Sequence, residues 1–474
     1  MRKIKAIAGR SVKCAPMSKI DLSYAMRTVP RYTSYPTAPH FHDGLSADTY
    51  VSWLEALGPS DTLSLYLHVP YCREICHYCG CHTKATRKEA PLVAYAKTLR
   101  QEIELVAAHL TSAGSVRHIH WGGGTPSLLP HTDLLQITQD LQDRFQFAAD
   151  VEHAIELDPR NVTPALAETL QKMGVNRASL GVQDFDLTVQ KAIGRVQPFD
   201  LVAKAVADLH AVGLTDLNFD LMYGLPEQTR ETILDTITKT LELRPGRIAL
   251  FGYAHVPWMR KHQTLMDETR LPDAAERLAM ADLARTALQD AGYTAIRLDH
   301  FALPEDSMAQ QLEAGDLRRN FQGYTTDQGD QLIGFGVSSI GKLSQGYIQN
   351  LPDVGGWRRK IEAGTSPIGK GLALSTDDLL RGRIIEQLMT DYQCDVEKTC
   401  GAFGVCTSSL SDCFDALSGL ADDGLVRLSR SGDHGFRVEI TEQGQPYVRL
   451  AAAAFDAYLG GSMTSGKARH STAV

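Results

Sequence analysis

The residues best suited to chemistry are four cysteines in the segment HVPYCREICHYCGC, namely Cys72, Cys76, Cys79 and Cys81. Three residues separate the first two, two separate the next pair, and one separates the last pair. Three thiolates this close can surround a compact inorganic core, and a [4Fe–4S] cluster held by three thiolates keeps one iron open. A zinc site is the alternative, although structural zinc sites usually draw their second pair of ligands from a separate segment, which this sequence lacks.

The remaining cysteines give no comparable pattern. The chain has 9 cysteines, an odd number, and one dense group among them is not the framework of a secreted disulfide protein. Cys394, Cys400, Cys406 and Cys413 match no ligand spacing and are interpreted as small buried apolar residues. The pattern predicts a reducing, cytoplasmic compartment.

Short apolar stretches alternate with amphipathic ones from about residue 62 to 256, which predicts parallel β/α units. One helix is expected to start at Thr163-Pro164 and stop at Gly174, and another to follow Pro198 and end near Gly213. Periodicity alone leaves open whether the sheet closes as a barrel. The six predicted strands are TLSLYLHV (62–69), VRHIHWG (116–122), EHAIELD (152–158), RASLGVQ (177–183), DLNFDLMYG (216–224) and RIALFGYAH (247–255).

Each predicted strand ends in residues that a hydrophobic core does not require. The cysteine segment follows the first strand and GGGTP (122–126) follows the second, while Glu156, Gln183 and Asp220 close the next three. The carboxyl ends of parallel strands converge on one face, where ligands bind. The sequence therefore predicts one shared site at that face.

A CxxxCxxC segment directly after the first strand of a β/α series resembles the radical S-adenosylmethionine (SAM) enzymes. In that family the three cysteines bind a [4Fe–4S] cluster, and SAM chelates the open iron through its amino and carboxylate groups. GGGTP (122–126) resembles the family's segment for the SAM amino group. Its glycines permit close backbone approach.

A narrower resemblance, over roughly residues 20 to 458, is to the oxygen-independent coproporphyrinogen III oxidases. It implies oxidative decarboxylation of two propionates of coproporphyrinogen III to vinyl groups, giving protoporphyrinogen IX, by a 5′-deoxyadenosyl radical. The segments that carry it are RYTSYPTAPHF (31–41), IELDPR (155–160), GVQDF (181–185), NFDLMYGLP (218–226), FGYAHVPW (251–258), RNFQGYTT (319–326) and GFGVSSI (334–340).

The resemblance also implies a fold and a set of site residues. The expected fold is α/β, a partial (β/α)6 TIM-like radical SAM barrel with a smaller, mainly helical, winged-helix-like C-terminal domain. No side chain is expected to be catalytic, because the SAM-derived radical performs the chemistry. The expected cluster ligands are Cys72, Cys76 and Cys79; the expected contacts of the SAM nearest the cluster are Tyr66, Gly123, Glu156 and Ile340, and those of a second SAM are Tyr78, Gly124, Thr125, Gln183, Arg195, Asp220 and Ala254.

The chain is expected to divide into a disordered leader (1–20), an N-terminal extension reaching the active site (21–61), the barrel and its extension (62–365), a C-terminal lid domain (366–459) and a disordered tail (460–474). Its 48 basic and 56 acidic side chains give a net charge of −8, which argues against nucleic-acid binding. No apolar run is long enough for a membrane span. The expected partners are a tetrapyrrole substrate and an unidentified flavodoxin- or ferredoxin-like electron donor, and the expected state is a monomer.

Two other functions stay open. One is a related radical SAM methyltransferase; the other is a haem chaperone of the same architecture that does not turn over coproporphyrinogen. Chaperone-type relatives lack the fourth cysteine and the RYTSYP segment, both of which occur here as Cys81 and residues 31–36. Arg31, Lys84 and Arg87 are hypothetical partners for the carboxylates of the substrate.

Overall fold

The computed structural model describes residues 23–110, 114–431 and 435–459. The predicted leader (1–20), the predicted tail (460–474) and Cys14 lie outside the described residues. The strands are β1 (Leu63–Val69), β2 (Tyr71–Cys72), β3 (Lys84–Ala85), β4 (Val116–Gly123), β5 (Phe147–Leu157), β6 (Arg177–Gln183), β7 (Asp216–Tyr223), β8 (Arg247–Gly252), β9 (Thr294–Ile296), β10 (His300–Ala302), β11 (Arg318–Asn320), β12 (Gly323–Thr325), β13 (Gln331–Phe335), β14 (Ile340–Leu343), β15 (Gly346–Asn350), β16 (Ile368–Ala373), β17 (Gln393–Asp395), β18 (Val426–Ser431) and β19 (Gly435–Ile440).

Helices connect most of these strands. They are α1 (Ala47–Glu55), α2 (Ala90–Ala107), α3 (His131–Arg144), α4 (Pro164–Lys172), α5 (Leu187–Ala192), α6 (Phe199–Ala211), α7 (Arg230–Leu243), α8 (Ala274–Asp290), α9 (Ser307–Ala314), α10 (Val354–Glu362), α11 (Thr376–Asp391), α12 (Val396–Ala402), α13 (Ser411–Asp422) and α14 (Val448–Ala453). In the part of the chain that the structure describes, no helix is both long and apolar enough to cross a membrane.

A sheet of 12 strands forms the centre of the molecule, in the order β16-β15-β14-β13-β1-β4-β5-β6-β7-β8-β10-β9. The six predicted strands correspond to β1 and β4 to β8, and each pairs in parallel with its neighbour. Helices α2 to α7 make the crossovers between them. The predicted α/β fold with a partial six-unit barrel is confirmed.

One parallel strand was not predicted. Residues of the GFGVSSI segment form the end of β13, which lies parallel to β1 on the side away from β4. The antiparallel strands β14, β15 and β16 extend the sheet from there, and β10 and β9 extend it beyond β8. The two edges do not pair with each other, so the barrel is open.

The predicted helix ends are confirmed by their capping residues. Thr163 caps α4 by accepting a hydrogen bond from the backbone N–H of Leu166 (3.2 Å), and Gly174 ends it at a φ of 76°. Helix α6 starts directly after Pro198. Gly174 suits the end of α4 because an L side chain rarely adopts a positive φ.

The main core lies between the parallel strands and their covering helices. Alternate residues Leu63, Leu65 and Leu67 of β1 have 1% or less of their surface exposed, as does Trp121 of β4. Buried residues of α2 to α4 pack against the same sheet. Burying this apolar surface is the dominant force that fixes the strand order.

A second core joins the two ends of the chain. Helix α11 and the hairpin of β18 and β19 pack with Tyr24, Tyr32 and Tyr35 from the N-terminal segment. The turn of that hairpin, residues 432–434, lies outside the described residues. Residues 24–35 are thus part of the C-terminal hydrophobic core, whereas Tyr50 and Leu54 of α1 pack in the main core. The domain limits given above stay predictions.

Candidate active site

The cysteine segment leaves the carboxyl end of β1 and is closed by the short parallel pairing of β2 with β3. The thiol of Cys72 accepts hydrogen bonds from the hydroxyls of Thr83 (3.3 Å) and Thr125 (3.5 Å). The backbone N–H of Thr125 donates to the carbonyl of Tyr71 (2.8 Å), and that of Gly124 to Val69 (2.8 Å). The GGGTP segment after β4 therefore packs directly on the cysteine segment, as the sequence predicts.

Two arginines face the buried thiol of Cys76. The Nη1 atom of Arg195 lies 3.4 Å from its Sγ atom, and Nη2 of Arg160 lies 4.0 Å away. Asp158 holds both guanidinium groups, with Arg195 at 3.2 Å and Arg160 at 2.6 Å. Positive charge next to a thiol stabilises the thiolate, which is the form that binds iron.

The third thiol, Cys79, accepts a hydrogen bond from the backbone N–H of Cys81 (3.4 Å). A hydrogen bond from the Cys81 side chain lowers the pKa of Cys79 to about 6, although burial opposes this shift. His262 lies 2.6 Å from the carbonyl of Cys79, and Gln263 donates to that of Tyr78 (3.0 Å). The segment after β8 thus holds the backbone around Cys79.

The thiols fit an iron–sulfur cluster. Each of the three has a hydrogen-bond donor directed at its sulfur, and such donors tune cluster potentials. Burial raises the pKa of Cys72, so metal binding must displace its proton. Across residues 23–110, 114–431 and 435–459, no three His, Cys, Asp or Glu side chains are grouped closely enough to hold a single metal ion.

The glycines after β4 leave no room for side chains. Gly123 has a φ of 111°, and a Cβ atom there would lie 2.6 Å from the ring of His68. A Cβ atom on Gly124 would lie 2.6 Å from the carbonyl oxygen of Tyr71. Only glycine fits both positions, which keeps the backbone open to close approach by a ligand.

Glu156 lies next to this glycine segment at the end of β5. Its carboxylate accepts hydrogen bonds from the backbone N–H of Gly123 (3.1 Å) and from His120 (3.3 Å). Burial opposes ionisation of Glu156, but these bonds outweigh it and hold the pKa of Glu156 below its usual value. The ring of Tyr66 stacks on His120 at 6.0 Å, and its hydroxyl lies 3.0 Å from Nδ1 of His68. Three of the four residues predicted for the SAM nearest the cluster are therefore neighbours.

A second polar group lies on β6 and β7. Asp220 accepts hydrogen bonds from Ser179 (2.8 Å) and Asn218 (2.8 Å), and burial raises its pKa to about 6. Arg195 donates to the carbonyl of Gly181 (2.7 Å). Gln183, at the end of β6, has a φ of 68°, a strained conformation for a residue with a side chain. Among the described residues, the hydrogen bonds to Asp220 come from neutral donors and no ion pair involves it, so its carboxylate keeps capacity for a ligand.

The two remaining predicted residues lie at the ends of this face. The carbonyl of Ala254 accepts a hydrogen bond from Gln263 (3.4 Å), the same side chain that binds Tyr78. Ile340 starts β14, and a Cβ atom on Gly334 would lie 3.0 Å from its backbone. Because Gly334 pairs with Tyr66, the structure brings Ile340 to the β1 side of the site and Ala254 to the β8 side.

Sequence reasoning placed Asp158 at the end of the third strand without giving it a role, and it missed Thr83, Arg160, His262 and Gln263, which contact the cysteine segment. Asp158 and Arg160 belong to the IELDPR segment, so their position after β5 was the available signal. His262 and Gln263 follow β8 by about ten residues, and no local pattern distinguishes them from other loop residues. Cys81 is exposed, and Arg31, Lys84 and Arg87 bind none of the predicted residues in the described part of the chain.

The open parallel sheet and the three cysteines after β1 define the class of protein. Residues 66–239 match the model of the radical SAM superfamily. The match starts at Tyr66 and contains the cysteine segment, GGGTP, Glu156 and Asp220. The chain is therefore a radical SAM protein.

Its relatives define the family. The chain is 45% identical over 455 residues to an oxygen-independent coproporphyrinogen III oxidase from Bradyrhizobium diazoefficiens, covering 96% of this chain and 99% of that protein. It is 42% identical to an anaerobic coproporphyrinogen III oxidase from Cereibacter sphaeroides, covering 91% and 94%. The solved structure of coproporphyrinogen III oxidase from Escherichia coli matches with a TM-score of 0.85 and 34% identity, covering 90% and 98%. The chain belongs to the oxygen-independent coproporphyrinogen III oxidase family.

Proposed function

We propose that the chain catalyses the anaerobic oxidative decarboxylation of two propionates of coproporphyrinogen III, giving the vinyl groups of protoporphyrinogen IX. The observation that carries this proposal is the cysteine segment at the carboxyl end of β1, with a hydrogen-bond donor on each of Cys72, Cys76 and Cys79. Family membership over nearly the whole chain supports the substrate.

Cys72, Cys76 and Cys79 would hold the [4Fe–4S] cluster. When bound, the cluster would supply the electron that cleaves SAM to methionine and the 5′-deoxyadenosyl radical. That radical would take a hydrogen atom from a propionate, and the resulting substrate radical would lose carbon dioxide and one electron, to an acceptor outside the chain, to leave the vinyl group. Arg195 and Arg160 place positive charge against the thiolate of Cys76. Thr83 and Thr125 donate to Cys72 and so fix the orientation of its side chain.

The chain binds two SAM molecules in this proposal. Tyr66, Gly123, Glu156 and Ile340 contact the one nearest the cluster, and Tyr78, Gly124, Thr125, Gln183, Arg195, Asp220 and Ala254 contact the second. Two separate carboxylates support the presence of two SAM sites. Glu156 on β5 is hydrogen-bonded to His120, and Asp220 on β7 is hydrogen-bonded to Ser179. A carboxylate is a suitable acceptor for ribose hydroxyls or an ammonium group.

The chain's own side chains bind and orient rather than move protons in this reaction. Abstraction of hydrogen from an unactivated carbon needs a radical, so no acid–base pair is required. The cations Arg31, Lys84 and Arg87 are proposed partners of the substrate carboxylates. Arg31 donates to the carbonyl of Gly252 (3.3 Å), at the carboxyl end of β8, which places it near the same face.

Anaerobic turnover tests this function. Purified protein is incubated with SAM, a chemical reductant and coproporphyrinogen III, and carbon dioxide, 5′-deoxyadenosine and protoporphyrinogen IX are measured. All three products should form, with two carbon dioxide molecules for each protoporphyrinogen. Methyl transfer to a substrate would show a methyltransferase instead, and haem binding without any decarboxylation would show a chaperone.

Binding stoichiometry tests the two SAM sites. Equilibrium dialysis of the cluster-loaded protein should give two SAM molecules per chain, and Asp220→Asn should reduce this to one. A wild-type value of one would remove the second site from the proposal while leaving the reaction intact.

The remaining partners are part of the same proposal. The electron donor is a flavodoxin- or ferredoxin-like protein, the chain works as a monomer, and it is cytoplasmic. The eight described cysteines are free thiols, which agrees with a reducing compartment.

A further inference from the structure

A buried glutamate lies beneath the site with no cation beside it among the described residues. Glu102, on the core side of α2, has 1% of its surface exposed. Its carboxylate accepts hydrogen bonds from the backbone N–H of Gly336 (2.7 Å), from Asn350 (2.6 Å) and from the indole of Trp357 (3.1 Å). All three donors are neutral groups. They come from three different elements, each at least 234 residues after Glu102 in the sequence.

Of these donors, Gly336 lies in the turn between β13 and β14, Asn350 ends β15, and Trp357 lies on α10. Gly336 has a φ of 88°, and a Cβ atom there would lie 2.4 Å from the carbonyl oxygen of His68. Asn350 donates to the carbonyl of Gly336 (2.9 Å), so the side chain that binds Glu102 also holds the turn from its other side. Ser338, at a φ of 57°, makes this turn strained.

The same helix also binds the end of β1. The hydroxyl of Tyr95 donates to the carbonyl of His68 (2.6 Å) and accepts from the backbone N–H of Val337 (3.1 Å). The ring of Tyr95 stacks on Trp357 at 4.8 Å. Glu102 and Tyr95 thus connect two segments, the one entering the cysteine segment and the one leading to Ile340.

A buried carboxylate without a cation is costly for the folded protein. Burial raises the pKa of Glu102 to about 7, although all three hydrogen bonds favour the ionised form. A glutamine could not replace it, because one end of the amide would direct N–H groups at donors. Such a group is difficult to explain by stability alone.

We propose that Glu102 is a positioning residue that holds the Gly336–Ile340 turn against the end of β1 and thereby shapes the binding site of the SAM nearest the cluster. This inference rests on the proposed function, in which Ile340 contacts that SAM. Glu102 acts through the turn and touches neither SAM nor substrate.

SAM binding by the cluster-loaded Glu102→Gln variant tests this role. The dissociation constant for SAM should rise about tenfold, because a turn held by mispaired groups moves by a fraction of an ångström. Iron and sulfide content should stay at the wild-type level, because Glu102 contacts none of the three cluster cysteines. Trp357→Phe removes one donor and keeps the ring, so its dissociation constant should rise about threefold.

Glu152→Gln is the matched control, since it makes the same exchange in a largely buried carboxylate of β5 that pairs with Arg177 rather than with the turn. It should lower the unfolding midpoint and leave SAM binding unchanged. The inference is overturned if Glu102→Gln binds SAM like the wild type, or if Glu152→Gln weakens SAM binding equally. If Glu102→Gln does not fold, the dissociation constant for SAM is measured with Trp357→Phe instead. An unchanged value for that variant overturns the inference. SAM binding is measured in the absence of coproporphyrinogen, so the result does not depend on turnover. Wild-type protein that binds no SAM would refute the proposed function rather than the role of Glu102.

Discussion

Buried carboxylates towards the two ends of the parallel strands have different kinds of partner. At the amino end, Glu152 pairs with Arg177 (3.1 Å), and Arg177 and Arg247 both face Asp306, at 3.5 Å and 2.6 Å. At the carboxyl end, Asp220 accepts hydrogen bonds from the neutral donors Ser179 and Asn218 and forms no ion pair in the described part of the chain. Asp158 at the carboxyl end is also paired, with Arg195 and Arg160, so the contrast is between two carboxylates: Glu152 is neutralised within the protein, whereas Asp220 remains available as an acceptor.

The pKa values of two carboxylates express the same contrast. Burial opposes ionisation of both, but the charges of Arg177 and His118 outweigh it and lower the pKa of Glu152 to about 2. No arginine or lysine forms an ion pair with Asp220 in the described residues, and burial raises its pKa to about 6, although its hydrogen bonds and His300 act in the opposite direction. A buried carboxylate without a cation is a reason to expect a ligand at that position. The amino end therefore contributes stability and the carboxyl end contributes binding.

The largest expected effect comes from removing a cluster ligand. Cys76→Ser should lose the cluster and all SAM cleavage, since the remaining two thiolates cannot hold a stable cubane. Iron, sulfide and 5′-deoxyadenosine measured anaerobically provide the check. Of the four C-terminal cysteines interpreted as buried, Cys394, Cys400 and Cys413 are buried, but Cys406 is exposed, so that interpretation was wrong for Cys406. Cys406→Ser is therefore the control and should keep all three quantities at wild-type values. Full cluster content in Cys76→Ser would contradict the ligand assignment.

Matched substitutions at the two ends should affect different quantities. Asp220→Asn should lower turnover by about 100-fold with little change in stability, because it removes a charged acceptor for SAM. Glu152→Gln should reduce the free energy of unfolding by about 3 kcal/mol, because it leaves Arg177 partly unpaired, while turnover stays nearly unchanged. Turnover and urea unfolding midpoints separate the two outcomes. Equal effects of the two variants on both quantities would remove the distinction between the ends.

The two carboxylates should also titrate in different pH ranges. SAM affinity should weaken as the pH falls through about 6, where Asp220 becomes protonated. Glu152 has a folded pKa below its unfolded value of 4.5, so its stabilising contribution is present above pH 4.5 and is lost as the pH falls towards 2. Between pH 6 and 4.5, wild-type SAM binding should therefore decline while Glu152 still stabilises the fold. The decline of SAM binding between pH 6 and 4.5 should be absent in Asp220→Asn, because Asp220 is the group that becomes protonated there.

The smallest expected effect at the carboxyl end is that of Cys81→Ser. Cys81 is exposed, and its backbone N–H donates to Cys79, so the substitution preserves that bond. A serine hydroxyl also preserves a side-chain donor to the thiolate. Iron content should remain at the wild-type level, and its loss would show that four cysteines hold the cluster.

Local sequence signals were sufficient for the repeating part of the fold. Thr163-Pro164 and Gly174 set the ends of α4, and alternating apolar residues set β1, because capping and burial patterns act over a few residues. The parallel strand β13 was not predicted, since its partner β1 lies more than 250 residues earlier in the chain. The participation of Tyr24, Tyr32 and Tyr35 in the C-terminal core was missed for the same reason.

The sequence by itself determined the chemistry, because ligand type and spacing in Cys72, Cys76 and Cys79 are local properties of one segment. Only the tertiary structure decided which groups surround those thiols. Arg195 reaches Cys76 across 119 positions of sequence, and Glu102 reaches Gly336 across 234. Contacts of that range depend on strand order and on helix packing against the sheet, and these are set by burial of the whole apolar core rather than by any single segment.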